Sequence, residues 1–213
     1  MDPRLQHPFT CVIAGPTQCG KTVFLEKLLT YAKELIKDPP EHILWFYGEY
    51  QPLYTKLAKT LGDNIQFIEG VPQSFDDTLN IARRNLIILD DLMNETANDK
   101  KISSLFTKGS HHKNLSVILV TQNLFNQGRE SRTISLNSHY LILFKNPRDA
   151  AQISYLARQM FPEKPKYLQE AYKDATHTPY GYLFIDLKGN TLETFRLRTQ
   201  IFPGETQYVY VKK

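Results

Sequence analysis

Residues 9–22 read FTCVIAGPTQCGKT. An apolar run, Cys11-Val12-Ile13-Ala14, enters Gly15-x-x-x-x-Gly20-Lys21-Thr22, and an amphipathic stretch follows at once. Strand, glycine-bounded loop and helix in that order make a phosphate-binding P-loop. Gly15 and Gly20 permit the turns that aim successive N–H groups inward, and the helix N-terminus adds its dipole. Lys21 brings a point charge to the β- and γ-phosphates, and Thr22 an oxygen for Mg²⁺. The residues expected around the nucleotide are therefore Gly15, Pro16, Thr17, Gln18, Cys19, Gly20, Lys21, Thr22 and Val23.

The 213 residues suit one α/β domain, residues 1–213. An apolar fraction of 41% with 12% aromatics supplies a core and excludes a disordered chain. The net charge of +4 is uneven: residues 1–106 sum to −3 and residues 107–213 to +7, so the second half suits a polyanionic partner. Cys11 and Cys19 cannot build a disulfide framework and lack metal-ligand spacing. Wholly apolar runs reach five residues at most, as in 43–47, too short for a membrane span. MDPRLQHPF at the start lacks the apolar region of a signal peptide. The expectation is an intracellular protein of a reducing compartment, neither secreted nor in a membrane.

Residues 22–36 place Leu25, Leu28, Leu29, Ala32, Leu35 and Ile36 on one helical face, and Asp38-Pro39-Pro40 stops the helix. A buried strand follows over 42–47. A helix over 52–61 carries Leu53, Leu57 and Leu61, and after it come a strand over 65–68 and a short helix over 75–82. Residues 85–91, NLIILDD, describe a central parallel strand whose acidic end meets a ligand crevice. Asp90 would hold Mg²⁺, and Asp91 would polarise an attacking water. Glu95 is the other candidate base, glutamate being the usual occupant; two solvated turn carboxylates are the plainer alternative. A helix over 99–108 turns Ile102, Leu105 and Phe106 inward. In the loop after it, the adjacent His111 and His112 point apart and find no further ligands, so a solvated or DNA-facing loop is expected.

The strand over 116–120 ends in Thr121-Gln122-Asn123, and an amide at such a tip touches both water and γ-phosphate. An ordinary strand-end glutamine is the alternative. Residues 126–137 form a polar, loop-like segment with Arg129 and Arg132; an arginine reaching a neighbour's γ-phosphate stabilises transition-state charge, though a solvated arginine fits too. After a strand over 140–145, Asn146-Pro147-Arg148-Asp149 reads as a helix start, which makes Arg148 a third, weaker arginine candidate. The helix that follows would bury Ala150, Ile153, Ala157 and Met160. The next, after Pro162, would bury Leu168, Ala171, Tyr172 and Ala175. Residues 180–186 and 191–197 suggest a hairpin at the sheet edge. Residues 207–213 alternate like an edge strand, either pairing with a neighbouring subunit or ending as a basic tail.

Taken together, GPTQCGKT (15–22), LIILDDL (86–92), SVILVTQNLF (116–125) and HYLILFKNPRD (139–149) resemble the FtsK/HerA-type DNA-pumping ATPases. Within that group the chain looks most like the small genome-packaging ATPases of poxvirus-like viruses and Polinton/Maverick-type elements. The resemblance implies a three-layer α/β P-loop fold of the additional-strand type, with a mainly parallel sheet whose Walker A and Walker B strands are separated by another strand. It implies ATP and Mg²⁺ as cofactors and a homo-oligomeric ring, hexamer or pentamer, with ATP sites between subunits. Lys21 and Thr22 then form the Walker A pair, Asp90 and Asp91 the Walker B pair, and Gln122 the sensor. The arginine finger is Arg132 or, second, Arg129. Asp91 stands where many relatives have glutamate, so the base stays open between Asp91 and Glu95. The implied activity is ATP hydrolysis that drives double-stranded DNA into a viral capsid, docked on a portal or vertex protein in the host nucleus or cytoplasm. A ring helicase or repair ATPase, and a small-molecule kinase, are the competing functions; Gln122 and the acidic pair favour water over a kinase substrate as acceptor.

Overall fold

The computed structural model describes residues 2–80, 82–92, 99–109, 114–125 and 129–212; Glu95, His111 and His112 lie outside them, as does the side chain of Arg129. The first half contains β1 (Leu5–Gln6), β2 (Thr10–Ala14), α1 (Lys21–Thr30), α2 (Ala32–Leu35), β3 (Ile36–Lys37), β4 (His42–Tyr47), α3 (Pro52–Leu61), β5 (Ile65–Glu69) and β6 (Asn85–Asp90). The second contains α4 (Lys100–Ser104), β7 (Leu115–Thr121), α5 (Arg129–Leu136), β8 (Tyr140–Phe144), α6 (Ala151–Met160), α7 (Pro165–Ala175), β9 (Tyr182–Asp186), β10 (Leu197–Thr199) and β11 (Tyr208–Tyr210). Nine strands form one sheet in the order β11-β10-β9-β8-β2-β7-β6-β4-β5. The stretch from β8 to β5 is parallel, and β9, β10 and β11 are added antiparallel. Strand β7 lies between the P-loop strand β2 and the acidic strand β6, the additional-strand arrangement.

Both faces of the sheet are covered, which is why the central strands carry continuous apolar runs, 11–14, 43–47, 86–89 and 117–120, rather than alternating ones. In β6, Leu86 and Ile88 pack with Phe24, Leu25 and Leu28 of α1 and with Tyr54 and Leu57 of α3. Ile87 and Leu89 point the other way, onto Ile102, Ile134, Ile153, Leu156 and Leu168. Among the described residues no helix is long and apolar enough to cross a membrane.

Several local expectations are corrected by contacts distant in sequence. The helix expected over 22–36 breaks at Tyr31, because Leu5 and Gln6 pair in parallel with Ile36 and Lys37 and the chain must leave the helix to make that ladder. The face of α3 buries Tyr54 and Leu57, while Leu53 and Leu61 are only half-buried. In place of a helix over 75–82 there is a single 3₁₀ turn, Asp76–Thr78. Phe75 packs edge-on against Phe46, and the Asn85 amide donates to Asn80 O (2.7 Å) and Arg83 O (2.8 Å), so an asparagine side chain organises the turn instead of a helical ladder. Helix α4 continues as a π-helical turn, Leu105–Gly109.

The segment with Arg129 and Arg132 is helical from Arg129 on. The expected helix start at Asn146 is displaced to Ala151. The Asn146 side chain accepts from Arg148 N (3.2 Å) and its N–H donates to the Tyr172 hydroxyl (2.9 Å), which commits it to a turn; Asp149 accepts from Gln152 N instead (3.4 Å). Ala150 is exposed and Met160 half-buried, and Leu156 takes the inward position. The hairpin is β9–β10, with its second strand displaced to Leu197–Thr199 by a 3₁₀ turn, Glu193–Phe195. It is not the edge, because β11 pairs antiparallel with β10 outside it. Ile88 is wholly buried in the central strand, so Ile88→Ala is expected to lower unfolding free energy by about 2–5 kcal/mol in urea titrations.

Candidate active site

Alternation along three strands decides what meets at one end of the sheet. Cys11 and Ile13 of β2, Ile118 and Val120 of β7, and Leu86 and Ile88 of β6 all face α1 and α3. Continuing that period of two brings Asp90, the last residue of β6, to the same face, while Gly15 and Gln122 are the first residues beyond β2 and β7. The pairings Ile13↔Val120 and Asp90↔Val120 put Asp90 level with Ile13, two residues before Gly15 and Gln122.

The loop leaves β2 with Gly15 N donating to Thr121 O (3.2 Å). A Cβ on Gly15 would lie 2.6 Å from Phe144 Cβ and 2.7 Å from Cys19 Sγ, so this position has room for glycine alone. Gln18 (φ 64°) and Gly20 (φ 108°) occupy the left-handed region and close the turn. Helix α1 then starts without a side-chain cap or an acidic residue in its first turn, which leaves its first N–H groups for an anion. Lys21 folds back over the loop, its Nζ donating to Gly15 O (2.6 Å) and Pro16 O (2.9 Å). Thr22 is half-buried beside it; Thr17, Gln18 and Val23 are exposed. Burial pushes the Cys19 thiol up against the pull of Lys21, which keeps it a small neutral loop residue. Cys11 is buried in β2.

Asp90 is only 4% exposed. The Tyr54 hydroxyl donates to its Oδ2 (3.2 Å). Burial pushes the Asp90 carboxyl up, while the Tyr54 and Trp45 donors and the Lys21 charge pull it down. Trp45 Nε1 is buried without a hydrogen bond of normal geometry, so its N–H acts on Asp90 as a nearby dipole. Tyr54 is itself raised, by burial and then by the Asp90 charge, so it stays protonated and donates. Tyr54 and Trp45 were not legible as site residues; the only sequence signal was an aromatic-rich β4–α3 stretch. Asp91 is exposed and left-handed (φ 54°), a turn conformation that aspartate tolerates. No group of three or more His, Cys, Asp or Glu suited to a metal occurs among the described residues. One buried carboxylate, with the hydroxyl of Thr22 on the first turn of α1, is a donor set that suits Mg²⁺, which takes few protein ligands and completes its shell with phosphate and water.

Gln122 is exposed at the tip of β7, and the Asn123 side chain accepts from Gln152 of α6 (3.5 Å). Arg132 is exposed on α5 and lines a separate groove of about 390 Å³ with Phe125, Asp149, Gln152 and Tyr155. No P-loop residue lines that groove. Within one chain, Lys21 and Asp91 lie near enough to Asp90 for their charges to act on it, whereas Arg132 lines a groove apart from the P-loop. Arg148 is exposed in the β8–α6 turn.

No family sequence model matches the chain, and no curated protein sequence does. Solved structures do share its fold. The genome packaging NTPase B204 of Sulfolobus turreted icosahedral virus 2, in complex with ATPγS, superposes with a TM-score of 0.57 at 12% identity over 99% of this chain and 98% of that one. B204 of Sulfolobus turreted icosahedral virus, described as its DNA-packaging ATPase, gives 0.58 at 11% identity over 97% and 99%. The cytoplasmic domain of the Thermomonospora curvata type VII secretion ATPase EccC gives 0.52 at 12% identity, covering 94% of this chain and 25% of that one. The chain thus has the α/β fold of P-loop ATPases, with a mostly parallel central sheet.

An acid whose pKa is raised by folding stabilises the fold most when protonated, below its unfolded value. That contribution is lost as pH rises through the folded value, so ionised Asp90 is a cost near neutrality. Asp90→Asn is expected to raise the urea midpoint at pH 7, with the gain shrinking as pH falls toward the ordinary aspartate value of about 3.9.

Proposed function

We propose that this protein is an ATP-hydrolysing motor that translocates double-stranded DNA into a viral capsid. The observation that carries the reading is the Lys21 loop at the end of β2 with its charge acting on the buried Asp90 at the end of β6. Its setting, a fold shared over nearly the whole chain with viral packaging NTPases, supports it. Lys21, now bonded to two loop carbonyls, would exchange them for phosphate oxygens. Thr22 and Asp90 would hold Mg²⁺, which supplies charge neutralisation at the phosphates. Asp91, at the solvent-facing end of β6, orients water, and Gln122 reads the terminal phosphate.

Arg132 faces away from its own loop, which suits an arginine finger acting on a neighbour in a ring, hexamer or pentamer; Arg129 is the second choice. The second half of the chain, net +7, would follow the DNA backbone without reading sequence. We place such rings on a capsid portal or vertex protein at assembling virions, in the host nucleus or cytoplasm.

The test is ATPase activity of the assembled particle with and without duplex DNA. Stimulation by duplex that falls steeply with salt is expected; no response to DNA would remove the motor reading, and unwinding of a forked duplex would replace packaging by helicase action. Lys21→Ala is expected to cut turnover at least about 100-fold, and wild-type turnover in that variant would contradict the site. Arg132→Ala mixed into wild-type rings is expected to depress activity below the wild-type fraction, since a finger contributes about 10³–10⁵ in rate. Activity proportional to that fraction would exclude action in trans.

A further inference from the structure

The sheet order gives the triphosphate site a direction. Asp90, Asp91 and Gln122 sit on β6 and β7, to one side of the P-loop strand β2; β8 and β9 lie on the other side. A triphosphate cupped by the loop with its terminal phosphate at the acidic side sends its nucleoside end toward β8 and β9. At that side the chain presents Tyr180, which no motif had singled out.

Tyr180 is 70% exposed, the highest value among the exposed large apolar residues described. Its ring leans on the P-loop: a Cβ at Gly20 would lie 3.1 Å from Tyr180 Cδ1 and 3.3 Å from its Cβ. Its backbone is left-handed (φ 61°), a conformation that bulky residues avoid. The turn is held in place by Gly181, whose N–H donates to Thr178 O (3.1 Å) and where a side chain would meet Ala175 O at 2.5 Å. Among the described residues Tyr180 makes no side-chain hydrogen bond and no ring contact. Its strained backbone is therefore not offset by burial of the ring. Val23, three residues beyond Gly20 on the first turns of α1, is a second exposed apolar side chain (53%).

We propose that Tyr180 is the platform on which the aromatic base of the nucleotide stacks, with Val23 as an apolar contact on α1. The proposal rests on the reading of residues 15–22 as a triphosphate site. An exposed ring beside Gly20 offers a free π-face next to the loop, and base–aromatic stacking tolerates any base that presents a flat face.

The test compares ATP with inorganic tripolyphosphate, which has the phosphates and no base, by calorimetry on the full chain. Tyr180→Gly suits the left-handed backbone and removes only the ring; Tyr180→Phe keeps the ring face. Tyr180→Gly is expected to bind ATP about tenfold more weakly and tripolyphosphate within about twofold of wild type, and Tyr180→Phe to bind both as wild type does. Unchanged ATP affinity in Tyr180→Gly overturns the proposal. A parallel loss of ATP and tripolyphosphate also overturns it, because the ring would then be supporting the loop. Loss of ATP binding in Tyr180→Phe overturns it as well, by assigning the effect to the hydroxyl. Wild-type protein that binds neither ligand, with Lys21→Ala no different, removes the triphosphate site itself and the proposal with it.

Discussion

The double register of β7 is the constraint on which the site depends. Leu119 pairs with Val12 on one side and with Leu89 on the other, so the strand before the loop and the strand before the acids are aligned through a third. Because side chains alternate, a slip of one residue on either side would turn Asp90 or Gln122 to the opposite face, away from α1. Burial prevents the slip, because the apolar side chains of β6 and β7 are divided between two buried clusters, one on each face of the sheet. The packing energy of the core thus sets the geometry at its rim.

That alignment carries an electrostatic cost. Asp90 is closed off by Tyr54 from α3 and by Trp45 from β4, with Lys21 near enough for its charge to act. A carboxylate held by one hydroxyl and a distant cation is under-satisfied by the standard of buried charges, which usually gather two or three donors. The same scarcity of donors leaves lone pairs of Asp90 without a partner among the described residues. Lys21 is in the complementary condition: its ammonium is satisfied by two main-chain carbonyls of the loop it belongs to, partners that it can leave without any movement of the backbone. Acid and base are held apart by local bonds, each short of its strongest partner.

What the sequence made legible was what depends on short-range pattern. The apolar runs at 11–14, 86–89 and 140–144 have few other ways to be buried, and the glycine-bounded loop between strand and helix has a stereochemical reason at each fixed position. What stayed illegible depends on partners distant in the chain. Leu35 and Ile36 continue a helical face in sequence, but Leu5 draws Ile36 into a parallel pair and the helix ends. Tyr54 sits one residue off the Leu53, Leu57, Leu61 repeat, and only the proximity of Trp45 and Phe67 in the folded chain brings it inward. Asn146 has every local feature of a cap, yet Tyr172, twenty-six residues later, takes its N–H. Propensity described each segment correctly in isolation and was overridden where a tertiary bond was stronger.

Departures from local preference are informative in their own right. Asp38 and Asn114 have positive φ in turns, where short polar side chains are tolerated, and need no further cause. Gln18, Asp91 and Tyr180 share a further feature, since they stand on three separate loops around the same end of the sheet. Gln18 is in the P-loop, Asp91 follows the acidic strand, and Tyr180 precedes β9. Glycine would fit the first and third of these backbones with less strain, and neither ring nor amide is repaid by burial at these exposed positions. A fold that concentrates strained, exposed side chains on one rim while keeping its core regular has given up stability there for side-chain placement. On the function proposed above, that rim is the part of the molecule that meets the ligand, and the core is the part that keeps it in register.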